Sequence, residues 1–285
     1  MYIFVKLISR FVCLLPFALR RWIGDVVGSA CWLLVPGDRK KLAIENICLS
    51  LQLDEQEAKQ IAKRSVTRFG RMFMEVLYFP RITPDNIRKY VTMEGEEHLR
   101  EALQDGKGVV LATAHSGNWE LLGAALAMCG FPLVAVVQRQ TNAAMDRFIN
   151  EYRTIAGMKI EYKTGVRDMV RLLHAGKIIG LLMDQDAHHG VFVDFFGREA
   201  STPPGAAALS RLTDAPIVPA FISNSGDGAH RVTIYPAFSI ETTPDREQDI
   251  LHTTQKLTKI IEDHIRLYPQ EWFWLHNRWK TRRKE

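Results

Sequence analysis

Several shortages in the sequence each remove a class of protein. Four cysteines occur in 285 residues, Cys13, Cys31, Cys48 and Cys129, none in C-x-x-C spacing. That excludes a disulfide-stapled scaffold and reads as reduced, structural cysteine in a cytosolic environment. No charge-free run of about 20 apolar residues occurs, which excludes a polytopic membrane protein. The G-x-S-x-G elbow, the P-loop and the G-x-G-x-x-G turn are all missing, so serine-hydrolase, nucleotide and dinucleotide readings lose their main support. With 47% hydrophobic and 24% charged residues, the chain is neither disordered nor collagen-like. No internal repeat or flexible linker divides it.

The net charge of +5 is unevenly placed. Basic residues gather at Arg20-Arg21, at Arg39-Lys40-Lys41 and in the tail from Arg278 to Lys284, so an anionic partner such as a phospholipid surface, a phosphorylated substrate or an acidic protein is expected. Residues 2–35 are the most apolar stretch, yet Lys6, Arg10, Arg20, Arg21 and Asp25 interrupt it before it reaches a bilayer span. No A-x-A-like site closes it as a secretory signal. It reads instead as a pair of amphipathic or re-entrant helices lying in the membrane interface, with Phe4, Phe11, Leu14, Leu15, Trp22, Trp32 and Leu33 in lipid and the arginines at headgroup level. The alternative is a hydrophobic helix pair packed on the protein's own core.

Helical spacing continues beyond Pro36-Gly37, through a basic helix over 38–51 and a long one from Asp54 toward Pro80. From Tyr90 onward, apolar runs at 109–114, 132–137, 158–162, 178–183, 217–222 and 231–234 alternate with helical segments, and a last amphipathic helix spans 245–268. Alternation of this kind argues for βαβ units. The expected fold is α/β, a mostly parallel central sheet flanked by helices, with an N-terminal helical membrane-associated extension. Residues 1–82 form that extension and residues 83–285 the catalytic domain.

In an open α/β sheet the reactive groups sit beyond the carboxyl ends of strands. The run Val109 to Ala114 ends in His115-Ser116-Gly117-Asn118-Trp119-Glu120, the order being strand, histidine, small-residue turn and a carboxylate in the first helical turn. This places an imidazole at an active-site rim, with Glu120 expected to fold back and accept from its second nitrogen. The spacing alone says little: nine histidines and 32 acids in 285 residues give about one H-x4-D/E match by chance. A second match, His189 to Asp194, has no helix after it, so context separates the two. A histidine merely capping a strand end is the bland reading of His115. A competing cluster, Asp184-Gln185-Asp186-Ala187-His188-His189, offers two carboxylates and two imidazoles to a divalent metal and would make the protein a metal-dependent hydrolase. Against it, no distant partner motif is present and adjacent residues rarely reach one ion. A non-catalytic membrane-binding protein is the third class. Nucleic-acid binding is excluded because Trp272, Phe273, Trp274 and Trp279 are not interleaved with basic groups on a sheet face.

The hexapeptide from His115 to Glu120 resembles the late acyltransferases of lipid A biosynthesis, the lauroyl and myristoyl transferases, within the wider H-x4-D/E glycerolipid acyltransferases. The resemblance continues through Arg139, Asp184-Gln185-Asp186, Phe195-Phe196-Gly197, Thr202-Pro203-Pro204-Gly205, Pro216-Ile217-Val218-Pro219 and the stretch from Pro269 to Lys280, with Arg39 to Asn46 matching the family's basic helix. It departs at Asn277, where the family usually has arginine, and at the His188-His189 pair.

The resemblance implies a membrane-associated O-acyltransferase on the cytoplasmic face of the inner membrane, needing no metal and no cofactor. Its donor is the thioester of acyl carrier protein and its acceptor a hydroxyl of a lipid A precursor, with another glycolipid or a lysophospholipid as alternatives. His115 is then the general base and Glu120 its orienter. Gly117 and Asn118 hold the oxyanion through backbone amides, or Arg139 does so by charge. Asp184, Gln185, Phe196, Gly197 and Arg278 complete the substrate-binding set, with Arg139 and Arg278 directed at acceptor phosphates.

Overall fold

In the computed structural model, residues 2–137, 139–162, 165–226 and 228–283 are described; Met1 of the proposed extension and Lys284 of the basic tail lie outside them. The N-terminal part is helical, as its apolar spacing predicts: α1 (Tyr2–Val12), α2 (Phe17–Leu34), α3 (Gly37–Leu51) and α4 (Glu55–Tyr78), the last closed by a 3-10 turn at Phe79–Arg81. Pro16 and Pro36 stand at the N-caps of α2 and α3, where a missing amide costs nothing. Asp54 caps α4 and accepts from the Glu57 amide at 2.8 Å.

Glycine brings α2 and α4 together. A Cβ on Gly28 would lie 1.9 Å from the Thr67 carbonyl oxygen, and one on Gly70 would lie 2.0 Å from that of Gly24. Any side chain at these positions would push the helices apart, so α2 is built into the fold. Val12 and Trp32 are buried in the same hydrophobic clusters as the strands that follow. The helix pair packed on its own core is therefore realised on one face. The other face is uncovered: Ile3, Phe4, Leu7, Phe11 and Trp22 are between 55% and 73% exposed. Among the described residues no helix is long and apolar enough to cross a membrane.

The α/β part contains β1 (Val91–Glu94), β2 (Val109–Thr113), β3 (Leu133–Val137), β4 (Lys159–Tyr162), β5 (Ile178–Leu182), β6 (Val191–Phe195), β7 (Arg198–Thr202), β8 (Ile217–Asn224) and β9 (His230–Ile234). Between them run α5 (Glu96–Gln104), α6 (Trp119–Met128), α7 (Ala143–Ile155), α8 (Val166–His174) and α9 (Gly205–Thr213), and α10 (Arg246–Leu267) follows β9. Seven strands form one sheet in the order β1-β9-β8-β2-β5-β3-β4. All its pairs are parallel except β8 with β9. The mixed α/β fold with a mostly parallel sheet is as expected. Central β2 is buried along its whole length: Val109 and Leu111 face one hydrophobic cluster, Val110 and Ala112 the other. Helices cover both faces, which is why β2 reads as an unbroken apolar run.

β1, α5, α9 and the β6–β7 hairpin were not expected. Among the described residues the hairpin strands pair only with each other, and side chains of α10 take up outer backbone groups of β6 and its turn. The Asp194 amide donates to Gln255 at 2.8 Å, Gln255 donates back to the Asp194 carbonyl at 3.0 Å, and the Phe196 amide donates to Glu262 at 2.7 Å.

Candidate active site

Strands β2 and β5 are parallel neighbours with Thr113 opposite Leu182, so the residues two beyond each, His115 and Asp184, emerge side by side at the carboxyl edge. The Nδ1 nitrogen of His115 lies 2.9 Å from Oδ1 of Asp184, and the His115 amide donates to Oδ2 of the same carboxylate at 3.0 Å. Trp272 donates its indole N–H to that Oδ2 at 2.7 Å. Asp184 is sealed, its side chain 1% exposed, while the imidazole keeps 21%. A buried carboxylate beside Nδ1 selects the tautomer with its proton there and leaves Nε2 as the basic nitrogen. Burial alone would pull the His115 pKa down, but the charge and hydrogen bond of Asp184 outweigh it, and the pKa is raised above 6.5. Burial likewise opposes ionisation of Asp184, and His115 with the donated hydrogen bonds still lowers its pKa.

Glu120 does not hold His115. It stands in the first turn of α6 facing α7, where Arg153 clasps both its oxygens, Nε to Oε2 at 2.8 Å. A local spacing brought Glu120 near, but a guanidinium fork on the next helix is the stronger partner for a carboxylate. Asp184, expected only as a substrate contact, stands beside Nδ1 of His115 where Glu120 was expected.

The turn after His115 is clamped from outside the motif. Arg68 of α4 donates to the carbonyls of Gly117 at 2.6 Å and His115 at 3.3 Å. Burial first, against nearby carboxylates, pushes its pKa down to about 10, which leaves it charged at neutral pH. Gly117 adopts φ +59°, and a Cβ there would lie 2.1 Å from the Ile222 carbonyl oxygen, so only glycine fits. Its amide donates to the Glu271 carbonyl at 2.9 Å, which removes it from the expected oxyanion role. Ser116 Oγ lies 3.1 Å from Nε2 of His264, whose pKa burial pushes down to about 4. Asn118 caps α6, accepting from the Leu121 amide at 3.0 Å, and donates to Glu75 at 2.7 Å. His230 lies 3.0 Å from the other Glu75 oxygen.

Two spaces adjoin the turn that follows His115, one at Gly117 and Asn118 and one at Trp119 and Glu120. One is a cleft of about 370 Å³ with Arg64, Arg68 and Arg71 on one wall and Gly117, Asn118 and Glu271 on the other. The second, about 90 Å³, lies between α6 and the sheet, where Gly123, Ala135 and Gly180 leave room beneath Trp119 and Leu133. The Trp119 ring meets His115 edge-on at 5.1 Å.

The remaining expected residues lie elsewhere. Arg278 is fully buried and donates to the Ser201 carbonyl at 2.6 Å and to the Thr202 hydroxyl, which ties the tail to β7. Arg139 is exposed over the Tyr162 ring, 4.8 Å from its centroid, on a separate cavity of about 560 Å³. Phe196 and Gly197 form the β6–β7 turn at φ 58° and 73°; Phe196 is buried on α10 as structural support. Gln185 is half-buried next to Asp184. In the acidic-histidine stretch, Asp186 accepts from the Thr281 amide and hydroxyl at 3.0 and 2.9 Å, while Asp184 serves His115. The two carboxylates point to different partners, and among the described residues no group of three metal-ligating side chains gathers. Trp272, Arg68 and Glu75 were missed as site residues, since nothing local connects them to His115.

The whole chain has known counterparts. Residues 1–281 match the family described as bacterial lipid A biosynthesis acyltransferase. The chain is 28% identical over 225 residues to a phosphatidylinositol mannoside acyltransferase of Mycolicibacterium smegmatis, covering 77% of this chain and 72% of that protein. It is 24% identical to the lipid A biosynthesis palmitoleoyltransferase of Escherichia coli K12, covering 94% and 87%, and 26% identical to the lauroyltransferase of the same organism, covering 86% and 80%.

Proposed function

This chain belongs to the bacterial lipid A biosynthesis acyltransferase family, and on that premise we propose that it moves a fatty acyl group from the thioester of acyl carrier protein to a hydroxyl of a lipid A precursor. The observation that carries the reading is the His115–Asp184–Trp272 arrangement, with Gly117 and Asn118 of the turn after it lining a basic cleft.

In the proposed reaction the acceptor hydroxyl gives its proton to Nε2 of His115 as its oxygen bonds to the thioester carbonyl carbon. Asp184 stabilises the imidazolium that forms. The carbon–sulfur bond then breaks, and the departing thiolate takes the proton from the imidazolium, which returns His115 to its starting state. Charge that develops on the carbonyl oxygen is met at the N-terminus of α6. There the Asn118 cap takes the Leu121 amide, and the amides of Trp119 and Glu120 precede it in the same turn. No acyl-enzyme is needed. Arg64, Arg68 and Arg71 on the cleft wall suit an acceptor carrying phosphate, since guanidinium binds phosphate in a two-point fork. The exposed Arg39 and Lys41 of α3 suit the acidic carrier protein.

We also place the protein at the cytoplasmic face of the inner membrane, lying on it rather than crossing it. The exposed apolar side chains of α1 and α2 favour this, with Arg10 in the last turn of α1 at headgroup level. Cosedimentation with anionic vesicles checks it: Phe4→Asp with Trp22→Asp should release the protein, and unchanged sedimentation would move the contact elsewhere. Removing residues 1–35 is a poor test, because Val12 and Trp32 belong to the core.

The test of function is mass spectrometry of acceptor lipids incubated with purified protein and acyl carrier protein thioester. Acylation of a bis-phosphorylated glucosamine disaccharide lipid, abolished in His115→Ala, is the expected result. If a mannosylated phosphoinositide were acylated instead, the second reading suggested by the mycobacterial relative would replace the acceptor and leave the chemistry intact.

A further inference from the structure

Arg20 of α2 is 8% exposed, although it carries a full charge. Its guanidinium carbon lies 3.2 Å from the centroid of the Tyr78 ring, and among the described residues its Nη1 nitrogen has no hydrogen-bond partner. Leaving a buried donor on a cation unmet is costly, and proteins seldom retain one without a use. The carboxylates nearby are spoken for. Asp25 is paired with Arg71, 2.9 Å from Nη2, and the two oxygens of Glu75 go to Asn118 and His230. Arg20 borders a cavity of about 50 Å³ walled by Phe17, Met74, Tyr78, Tyr90 and Leu121. The cavity joins the basic cleft, since Arg71, Glu75, Asn224 and His230 border both.

We propose that Arg20 is a phosphate-binding subsite for the acceptor lipid, in the cavity that continues the cleft lined by Gly117 and Asn118. The proposal rests on the acyltransferase reading and names the part of the acceptor this cavity takes. Two features select a phosphate attached to a lipid. The guanidinium carbon stands over the Tyr78 ring, and Nη1, unmatched among the described residues, is a charged donor suited to a tetrahedral oxyanion. The walls are apolar, and Phe17 at their rim remains 46% exposed on the same helix as Trp22, so a chain attached to that phosphate can continue into lipid. α4 sets the spacing: Arg68 bonds the His115 carbonyl itself, Tyr78 carries Arg20, and the two positions lie roughly 15 Å apart along the helix axis. An acceptor whose phosphate stands at about that distance from its hydroxyl is held at both ends.

The experiment compares a phosphorylated glucosamine disaccharide lipid with its dephosphorylated counterpart as acceptors for wild type, Arg20→Met and Arg20→Lys. The wild type should prefer the phosphorylated lipid in KM. In Arg20→Met that preference should collapse, its KM for the phosphorylated lipid rising about 10- to 100-fold, as expected for lost charge-assisted hydrogen bonds. Arg20→Lys should recover only part of it. Arg20→Met loses the stacking on Tyr78 in either case, so Tm does not decide; an arginine kept for structure would lower Tm and leave the preference intact. A preference left intact, or equal KM changes on both acceptors, overturns the proposal. Should Arg20→Met fail to fold, Arg20→Gln serves the same comparison. Phosphatidylglycerol vesicles supply a further arm: if the variant lost vesicle binding but kept its acceptor preference, the site would belong to bulk lipid and the proposal would fall. If wild type acylated neither acceptor, the acyltransferase reading itself would have failed. The subsite would then be judged by binding: a thermal shift from phosphorylated-lipid micelles in wild type but not in Arg20→Met supports it, and equal shifts reject it.

Discussion

Two segments of this chain share the spacing H-x4-D/E, and the fold treats them differently. His115 stands where the buried strand β2 ends, fixed by Asp184 from the neighbouring strand. His189 lies exposed before the β6–β7 hairpin, its ring 4.5 Å from that of His188. In neither case does the acid five positions on bond its histidine. Glu120 turns to Arg153, and Asp194 accepts from the Gly197 amide at 3.1 Å to close the hairpin turn. The difference teaches that the chemistry belongs to a strand end and its sheet neighbour. The spacing marks such a place only when the strand before it is central and a helix follows.

The sharpest way to break this comparison is to remove each histidine in turn. His115→Ala should lower kcat by about 10²- to 10⁴-fold, the usual cost of losing a general base, and His189→Ala should stay within about twofold. Similar losses in both would abolish the distinction.

Next in size is Asp184→Asn. Asp184 raises the His115 pKa above 6.5, and the base works only when neutral. The acidic limb of the kcat/KM profile should therefore have its midpoint above pH 6.5 and rise with pH. Removing the carboxylate charge should move that midpoint to lower pH while the plateau falls by about 10²-fold or more, because the remaining base is weaker and less well oriented. An unshifted limb would show that Asp184 does not govern the titration.

Glu120→Gln should do less to catalysis than Asp184→Asn and more to stability. It leaves Arg153 partly buried without its carboxylate, a loss of about 1 to 3 kcal/mol that denaturant unfolding would register. A joint Glu120→Arg, Arg153→Glu exchange should restore part of it. If Glu120→Gln instead matched Asp184→Asn in both rate and pH profile, the motif acid would be the orienter after all.

The comparison also explains which parts were legible beforehand. β2 and α6 could be read because both signals are local: an unbroken apolar run and an asparagine cap. The β6–β7 hairpin could not, since Gln255 and Glu262 of α10, more than sixty positions away in sequence, complete its backbone hydrogen bonding. α9 escaped notice because its buried face is made largely of Ala206, Ala207 and Leu209, too small a set to show a period. Asp184 is expected as a substrate contact, and its hydrogen bond to His115 leaves no mark in the sequence. Its pairing with His115 depends on β5 lying beside β2 although β3 and β4 intervene in the chain.

The N-terminal helices divide in the same manner. Their amphipathic character was evident from composition, but which face would be covered depended on α4. Gly24 and Gly28 are unremarkable in a list of residues, and only the arrival of Gly70 and Thr67 against them turns one side of α2 inward.

By itself, then, the sequence determined the alternation of helix and strand, the strand-end position of His115 and the amphipathic start, all of which follow from side-chain periodicity and capping within a few residues. Tertiary structure alone decided that Asp184 adjoins the imidazole and Trp272 bonds Asp184, that Glu120 pairs with Arg153 and Arg278 bonds β7, and that Nη1 of Arg20 has no partner among the described residues. Those outcomes depend on which strands adjoin and which helices cross. Hydrogen bonds and ion pairs are settled by distances of a few ångströms in space, and distance along the chain does not supply them.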